Sequence, residues 1–531
     1  MPNFKENSCP HCSVSPDVSA ITIRPQPFTS TGRLASSNDP PLSSDIKVFK
    51  ASFAQTTARL KFVTDNIAKL EGNIRVFSEE RNRLNELAEA YQRILHPLRR
   101  LPEVVLREII RASAHSGPLS METNFAGPTH PVYATPWKLG QVCHTWRQVA
   151  LSDHSLWSFV YVRFPDPPIS KKAVAGMIAQ LMCQLRRSGS SPLEVSLYST
   201  RLLDDCDDAL LTTICSHSSR WATLQATLSP QNLRILDHLI GGGIPNLRRL
   251  HLPQITTIEE IATIGTFSIA PRLCDVTFDL YSQSGLDCLL IPWSQITRFR
   301  ILTTAKFATI ANYSYLQKMP NLESFYTVVG GLAANTPEVD LLSLKALAIC
   351  VQGRSKVVEP FLKRIHTPIL RDLRIDATAA DSSQITIPPS IGPTLRTLCL
   401  GVRTWTTADA RRIFTSLSGL EFLSLYNASS EVLFELSNRD PSTGQLRLFP
   451  RLRDLGIFAY SPRPSDIPPL LRLLESRFSN ARGSTYRLRK VRVHHKIVSV
   501  KDALFQLKRM ASEGLDVDIS PGDWVQMFPG F

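Results

Sequence analysis

The 531-residue chain has no long hydrophobic run and no sign of export. No stretch approaches the ~18 consecutive apolar residues of a transmembrane helix. The first 45 residues are rich in Ser and Pro and lack the apolar core of a secretory signal, so we expect a disordered tail there. We therefore expect no membrane partner. We expect the protein in the cytoplasm, the nucleus or both, where its ten cysteines stay reduced.

Motifs of intrinsic catalysis are also missing. The chain contains no G-x-S-x-G nucleophile turn, no G-x-x-x-x-G-K-[ST] phosphate loop and no H-E-x-x-H helix. One acidic cluster, made of Asp204, Asp205, Asp207 and Asp208, stands before an apolar segment, where carboxylates suit the positively polarised start of a helix. The sequence therefore predicts a protein that is not itself an enzyme and needs no cofactor.

A zinc site would need more ligands than the sequence provides. Cys9-Pro10-His11-Cys12 offers two thiolates at a suitable spacing, but a structural zinc site needs four ligands. No second C-x-x-C or H-x-x-x-H partner exists in the chain. We interpret this pair as solvent-exposed or incidental, and we predict no metal site.

Basic charge is in excess, with a net charge of +14. Positive charge alone supplies only non-specific affinity for phosphate groups, and no nucleic-acid-binding module accompanies it. The densest basic run, 487–496, alternates with apolar residues in the manner of an outer strand. We interpret it as a solvated edge of a repeat that favours acidic client proteins, and we do not predict nucleic acid as the main partner.

A long helix is indicated for residues 46–96, because apolar residues recur there at steps of three and four over about five heptads. Arg81 interrupts the seam, and no proline occurs within 46–96. Two interpretations stay open: a coiled coil that makes a homodimer through residues 60–95, or a helix folded back on the rest of the chain. The seam consists of Leu60, Val63, Ile67, Leu70, Ile74, Phe77, Leu84, Ala88, Tyr91 and Leu95.

Two short amphipathic helices that face each other, together called the hairpin here, are predicted next. Leu101-Pro102 reads as a first helical turn, where the missing N–H and fixed φ of proline favour helix initiation. Apolar residues then follow at helical spacing on one face: Val105, Leu106, Ile109 and Ile110. A second helix is signalled by Leu139, Val142, Cys143, Trp146, Val149 and Ala150. The segment 116–136 between them, rich in Gly-Pro pairs, is interpreted as an irregular inserted loop.

The order of these residues resembles an F-box. Leu-Pro, a short apolar helix, Val142-Cys143 with Trp146-Arg147, and a closing Leu156-Trp157 follow one another within 97–160. The resemblance is closest to the large fungal group of F-box proteins that carry a helix directly before the motif. By residue type alone, Trp146 and Trp157 suit an interface and the core of the hairpin equally.

The resemblance implies an adaptor role. A Skp-family adaptor would bind the hairpin and through it a cullin, so the chain would be the substrate-recognition subunit of an SCF-type ubiquitin ligase. The residues that would form the adaptor-binding site are Leu101, Pro102, Val105, Leu106, Ile109, Ile110, Leu139, Val142, Cys143, Trp146, Val149, Leu156 and Trp157.

Downstream, the chain repeats a Pro-x-Leu-x-x-Leu-x-Leu pattern, first seen from Pro245 to Leu252. Its first apolar position recurs at intervals of 22 to 26 residues, which is the spacing of leucine-rich repeats. The Asn or Cys expected after the third leucine is absent in nearly every copy, so we expect an irregular solenoid. Later copies begin at Leu273, Ile296, Leu322, Leu344, Leu370, Leu395 and Leu420, with further copies at Trp221, Leu452 and Leu488.

The predicted fold is mixed α and β: a long helix, a helical F-box and a leucine-rich-repeat solenoid over 221–531 with a C-terminal cap. Residues 161–220 are predicted to link the F-box to the solenoid through helical and strand segments. The repeats would bind a client protein whose identity the sequence does not reveal. A repeat scaffold acting outside any ligase is the alternative function.

Overall fold

The computed structural model describes residues 34, 36–115, 135–166, 170–255, 263–280, 286, 289–302, 313–330, 336–351, 356–442, 446–458, 467–478, 487–494 and 501–520. The chain divides into two compact units, Met1–Leu101 and Pro102–Phe531. The Cys9–Cys12 pair and most of the predicted loop 116–136 lie outside the described residues.

The first unit is dominated by one helix, α1, which spans Ser43–Leu95 and is followed by a 3₁₀ turn at Pro97–Arg100. At 1.5 Å per residue its 53 residues extend about 80 Å. None of its residues is buried, and the large apolar side chains along the predicted seam are exposed, among them Leu60, Ile74 and Phe77. The helix begins close to where the sequence predicted and keeps its apolar seam open.

The second unit begins with a small group of helices. These are α2 (Glu103–His115), α3 (Thr135–Leu139) and α4 (His144–Ser152), with a 3₁₀ turn at His154–Trp157. The second helix of the predicted hairpin is thus two helices rather than one.

The break between α3 and α4 has a local cause. A turn at Gly140, a poor helix former, separates them, and Cys143 precedes α4 in an extended conformation with φ −160°. The Arg147 side chain donates a hydrogen bond to the Gly140 carbonyl at 2.9 Å and thereby closes the turn.

After these helices, the described part of the second unit contains a parallel sheet of fourteen strands and the helices and turns that connect them. Its strands are hydrogen-bonded in chain order, so each strand pairs with the strand of the next segment along the sequence. The strands are β1 (Phe159–Arg163), β2 (Leu193–Tyr198), β3 (Trp221–Thr227), β4 (Arg249–Ile255), β5 (Asp275–Leu280), β6 (Arg298–Leu302), β7 (Ser324–Val329), β8 (Ala346–Val351), β9 (Asp372–Ala377), β10 (Thr397–Val402), β11 (Phe422–Tyr426), β12 (Asp454–Phe458), β13 (Lys490–His494) and β14 (Asp516–Ser520).

Helices and 3₁₀ turns connect successive strands. Between β7 and β9, a short parallel pair, Val339–Asp340 with Ile365–His366, stands apart from the main sheet. This repetition of strand and connection is compatible with a repeat solenoid. The connecting helices are α5 (Lys171–Arg187), α6 (Asp205–Cys215), α7 (Pro230–Ile240), α8 (Val358–Arg364), α9 (Thr407–Phe414), α10 (Ser430–Ser437), α11 (Ile467–Phe478) and α12 (Lys501–Ser512).

One continuous core runs beneath the sheet. The second and third apolar positions of a repeat are two residues apart, so both side chains point to the same face of the strand. In the middle of the array, Leu373 and Ile375 of β9 stack on Leu398 and Leu400 of β10 in register, and all four are buried. The first apolar positions predicted from the sequence, from Leu247 to Leu488, are buried as well.

Backbone hydrogen bonds also join the repeats where the strands begin. From β4 to β12, the residue directly before a strand accepts two amides from the next repeat: the Lys345 carbonyl, for example, accepts from Arg371 at 2.9 Å and Asp372 at 3.0 Å. A carbonyl has two lone pairs, so this arrangement satisfies both amides without an asparagine side chain. We call this line of residues the entry ladder; its members are Arg248, Cys274, Thr297, Glu323, Lys345, Arg371, Arg396, Glu421, Arg453 and Arg489.

The sheet is longer than the sequence predicted. β1 and β2 lie before Trp221, in segments assigned to the F-box and to a linker, and pair in parallel with the repeats. Neither strand carries the Pro-x-Leu pattern, and each is short, so only tertiary pairing reveals that they belong to the array.

The register predicts which neighbouring substitutions destabilise the protein. Leu398→Ala removes a fully buried side chain from the centre of the core and should cost about 2–5 kcal/mol. Thr397→Ala, one residue earlier on the opposite face, should stay within about 0.5 kcal/mol. Urea unfolding followed by circular dichroism measures both, and equal midpoints for the two variants would contradict this register.

Candidate functional site

The helices of 103–157 enclose a small apolar core of their own. Leu106 and Ile110 of α2 are 2% and 0% exposed and pack with Val149 and Ala150 of α4. Leu156 and Trp157 complete this cluster, which is separate from the core beneath the sheet. Leu156 and Trp157 therefore pack against both helices and hold them together.

Trp157 is held by a specific bond as well as by packing. Its indole Nε1 donates to the Ala150 carbonyl at 2.7 Å, which satisfies the ring's only polar group inside the core. Trp146 is half-buried and packs against the edge of the same cluster. Of the two interpretations open for Trp157, the structure therefore supports the core, while Trp146 keeps part of its surface open.

Trp137 is a structural residue that the sequence analysis did not single out. Its ring meets that of Trp157 edge to face, with 4.9 Å between the centroids. The Arg187 guanidinium, at the end of α5, lies 4.3 Å from the Trp137 centroid and 4.4 Å from the Trp157 centroid. The pair Pro136-Trp137 could have signalled a helix start, but it stood at the end of the predicted loop.

Arg187 therefore ties the hairpin to α5, the helix that connects β1 and β2. Its backbone carbonyl lies 2.7 Å from Nδ1 of His154, and the Gln184 side chain donates to the Phe159 carbonyl at 2.5 Å. A cation held between two aromatic rings stabilises such a contact by about 1–2 kcal/mol when it is partly desolvated. The hairpin and the first repeat accordingly form one body.

An ion pair joins the two ends of the hairpin. Arg111 of α2 donates from Nε to the buried carboxylate of Asp153 at 2.8 Å, and Ser155 donates to it from its backbone N–H and its hydroxyl. Burial raises the pKa of Asp153, but the hydrogen bonds from Ser155 and Arg111 outweigh it and hold that pKa below its usual value. The carboxylate thus stays charged near neutral pH and fastens α2 to the turn after α4.

An apolar surface is left open on the same helices. Val105 and Ile109, one turn apart on α2, are 44% and 36% exposed, although Leu106 and Ile110 beside them are buried. Val104 and Val142 are more exposed still. Exposed apolar side chains that neighbour one another on a helix, as Val104, Val105 and Ile109 do on α2, are typical of a contact surface for another molecule.

The thirteen predicted contact residues fall into distinct environments. Leu101 ends the first unit, and the others belong to the second. Those enclosed in the hairpin core are Leu106, Ile110, Val149, Leu156 and Trp157, and those half-buried at its edge are Leu139 and Trp146. Those exposed to solvent are Pro102, Val105, Ile109, Val142 and Cys143.

Two of the four aspartates near the start of α6 pair with one arginine of the chain. Asp207 is buried and pairs with Arg201 at 2.7 Å, while Asp204 lies 3.7 Å from the same guanidinium. Within the described residues no group of three or more His, Cys, Asp or Glu side chains is placed to hold a metal ion. In the same part of the chain, no helix has the length and apolar character needed to cross a membrane.

Aromatic side chains also lie on the face of the sheet that points away from the main core. Near its C-terminal end, Phe422 and Tyr426 lie half-buried beside the buried Cys399 and Phe458. The Arg492 guanidinium lies 5.3 Å from the centroid of Phe422. Aromatic and arginine side chains are the residue types that most often anchor protein interfaces.

Comparisons with known proteins give little guidance. No family model matches the chain, and no curated protein matches it. Among solved structures, the crystal structure of the Rad7 and Elc1 complex in yeast aligns with 64% of this chain and 97% of that chain, at 13% identity and a TM-score of 0.27. A protein from Bacteroides fragilis aligns with 68% of this chain and 73% of its own, at 13% identity and a TM-score of 0.21. With TM-scores below 0.5, neither likeness carries an argument about function.

The Asp153 ion pair gives the hairpin a pH-dependent stability. Because the pKa of Asp153 is lowered on folding, the stabilisation is present above the usual aspartate pKa of 3.8 and is lost as the pH falls through the folded value. At pH 7, Asp153→Asn should destabilise the hairpin by about 1–2 kcal/mol, and in acid the two proteins should converge. Hydrogen exchange of the amides in 144–157 measures this locally.

Glu108→Gln is the matched control for this prediction. Glu108 pairs with the same arginine at 2.8 Å, but its side chain is mostly exposed, so its loss should change exchange very little. Equal effects of the two substitutions, or a difference between wild type and Asp153→Asn that does not shrink in acid, would contradict the assigned role of Asp153.

Proposed function

We propose that the chain is an F-box protein with leucine-rich repeats that acts as the substrate-recognition subunit of an SCF-type ubiquitin ligase. In this proposal the hairpin binds a Skp-family adaptor and through it a cullin, and the sheet binds a client protein. The chain performs no covalent chemistry itself and works in the cytoplasm, the nucleus or both.

The observation that carries the proposal is the half-covered apolar stripe of α2. Leu106 and Ile110 are buried by the hairpin itself, but Val105 and Ile109, at the same spacing on the same helix, face solvent. A hairpin that served only as a cap for the sheet would need only the buried pair. The exposed pair, with Val142, is suited to a second helical protein that lays an apolar face against it.

The junction at Arg187 supports a positioning role. A substrate receptor contributes to ubiquitin transfer by holding the client lysine near the ubiquitin-loaded enzyme, which raises its effective concentration. That effect requires a fixed distance between the adaptor end and the client end. The contacts of Arg187 with Trp137 and Trp157 fasten the hairpin to the first repeat and are consistent with such a fixed spacing.

A non-catalytic leucine-rich-repeat scaffold acting outside any ligase is the alternative. It shares the sheet and its client surface but does not require the open face of α2 to bind anything. Adaptor binding therefore separates the two functions, because only the ligase subunit depends on it.

Substitutions on the open face should abolish adaptor binding. Val105→Asp with Ile109→Asp places two charges in the proposed contact while leaving the hairpin core intact, because both side chains are exposed. A purified Skp-family adaptor should bind the wild-type chain and show at least about a hundredfold loss with the double variant, as expected for charges buried in an apolar interface. Isothermal titration calorimetry measures both affinities.

The control for this experiment is Met182→Asp, which changes an exposed apolar residue of α5 that lies outside the proposed contact. It should bind the adaptor as the wild type does. Failure of the wild-type chain to bind the adaptor would favour the scaffold, and unchanged binding by the double variant would remove the contact surface proposed here.

We also propose that a second copy of the chain covers the open seam of α1. A helix of 53 residues with no buried side chain exposes far more apolar surface than an isolated soluble helix tolerates. Its apolar residues repeat at the 3.5-residue average that a left-handed supercoil requires. Because the same seam lies on every copy, two chains satisfy each other without a further protein.

Disrupting the seam should therefore change the mass in solution. The wild type should elute at twice the chain mass of 59.3 kDa in size-exclusion chromatography with light scattering, and Ile74→Glu with Phe77→Glu should elute as the monomer. Val76→Glu, at a similarly exposed apolar position outside the seam, should leave the dimer intact. A monomeric wild type at micromolar concentration would refute self-association through α1.

A further inference from the structure

The entry ladder brings together basic residues that are far apart in the sequence. Each ladder carbonyl from Arg248 to Arg453 accepts two amides of the next repeat at 2.7 to 3.2 Å, so neighbouring members lie one strand spacing apart. That spacing is about 4.8 Å in a sheet. The basic members are Arg248, Lys345, Arg371, Arg396, Arg453 and Arg489.

The charge is concentrated in one half of the ladder. From Lys345 to Arg489, five of six successive members are basic, and Glu421 is the exception. These six positions span about 24 Å along the edge where the strands begin. These residues are brought together only by the pairing of the strands, because each lies 25 to 36 positions after the one before it in the sequence.

Part of this charge is paired within the ladder, and part of it lies exposed. Lys345 pairs with Glu323 at 2.6 Å, and Arg396 lies 3.9 Å from Glu421. Arg371 and Arg489 are both exposed. Arg489 acts electrostatically on Asp454, which itself lies beside the ladder. The two exposed arginine positions stand about 19 Å apart along the ladder.

We propose that this half of the entry ladder, from Lys345 to Arg489, binds an extended acidic segment of a client protein. The inference rests on the proposed function in that the acidic segment belongs to the client. An extended chain advances about 3.3 Å per residue, so roughly seven residues cover the ladder and place alternate carboxylates along it. Exposed arginines bind carboxylates through paired N–H groups, and the excess charge of +14 favours the approach of an acidic partner.

The acidic residues around the ladder favour a protein over a nucleic acid. Glu421 interrupts the basic line, and Asp372 and Asp454 directly follow ladder arginines. A continuous phosphate backbone would pass each of these carboxylates at close range and be repelled by it. A peptide in which acidic and neutral residues alternate can place its neutral side chains next to these carboxylates instead.

The experiment uses a fluorescein-labelled peptide of alternating glutamate and serine, sixteen residues long, and measures its anisotropy with the full chain. The wild type should bind the peptide, and raising the salt concentration should weaken binding, because exposed charges are screened beyond about 10 Å at 0.1 M salt. Arg371→Glu with Arg489→Glu should weaken binding by at least about tenfold.

The matched control reverses two exposed basic residues elsewhere. Arg234→Glu with Lys508→Glu makes the same change in net charge on α7 and α12 and should alter binding by less than about twofold. Equal losses in the two double variants would reduce the effect to net charge and overturn the proposal. A fluorescein-labelled oligouridylate that binds more tightly than the peptide and is lost in the ladder variant would overturn it in favour of nucleic acid.

Binding of the acidic peptide and binding of the adaptor should be lost independently of each other. The ladder variant should bind the Skp-family adaptor as the wild type does, because the ladder residues lie outside the contact proposed on α2. The Val105→Asp, Ile109→Asp variant should bind the acidic peptide as the wild type does. A ladder variant that loses adaptor binding would show that the substitutions disturb the whole unit, and this result would overturn the assignment.

Discussion

The protein depends on one constraint: no single repeat can bury its own apolar residues. Each strand is five to seven residues long and presents two or three large apolar side chains to one face. Alone, such a strand exposes that face to water, and burial of apolar surface is the main force that stabilises folded proteins. Only stacking in register removes the side chains from solvent, and this requirement extends the array from β1 to β14.

The same constraint creates a problem at each end of the array, because the first and last repeats have only one neighbour. At the N-terminal end, the hairpin helices and Trp157 lie next to β1, and Arg187 closes the junction. The hairpin therefore meets the first repeat through Trp157 and Arg187 and keeps its own outer face open. Leu106 and Ile110 hold the hairpin together, whereas Val105 and Ile109 stay exposed.

The entry ladder shows how a structural necessity can create a functional surface. Its backbone bonds satisfy amides at the beginning of the strands from β5 to β14, and any residue type can provide a carbonyl for this purpose. The side chains are consequently free to vary, and in the second half of the array they are mostly basic. The regularity belongs to the backbone, and the proposed client specificity belongs to the side chains.

Several features could be predicted from the sequence because they depend on local periodicity. The seam of α1, the start of α2 after Pro102, and the buried positions from Leu247 to Leu488 all follow from spacing along the chain. The prediction of one continuous second helix in the hairpin was wrong. A turn at Gly140 breaks the helix, although the apolar spacing across it is helical. That β1 and β2 belong to the array was not predicted, because strands without the repeat pattern reveal their membership only by their partners.

The sequence alone thus determined the long helix, the start of α2 and the buried apolar positions of the repeats, since these depend on the periods of helix and strand. Tertiary structure decided which half of an apolar stripe stays open, since that depends on whether α4 and Trp157 reach it. It also decided the meeting of Trp137 with Arg187 and the alignment of Arg371 with Arg489. These contacts join residues dozens of positions apart, and no local pattern records the distance between such residues in space.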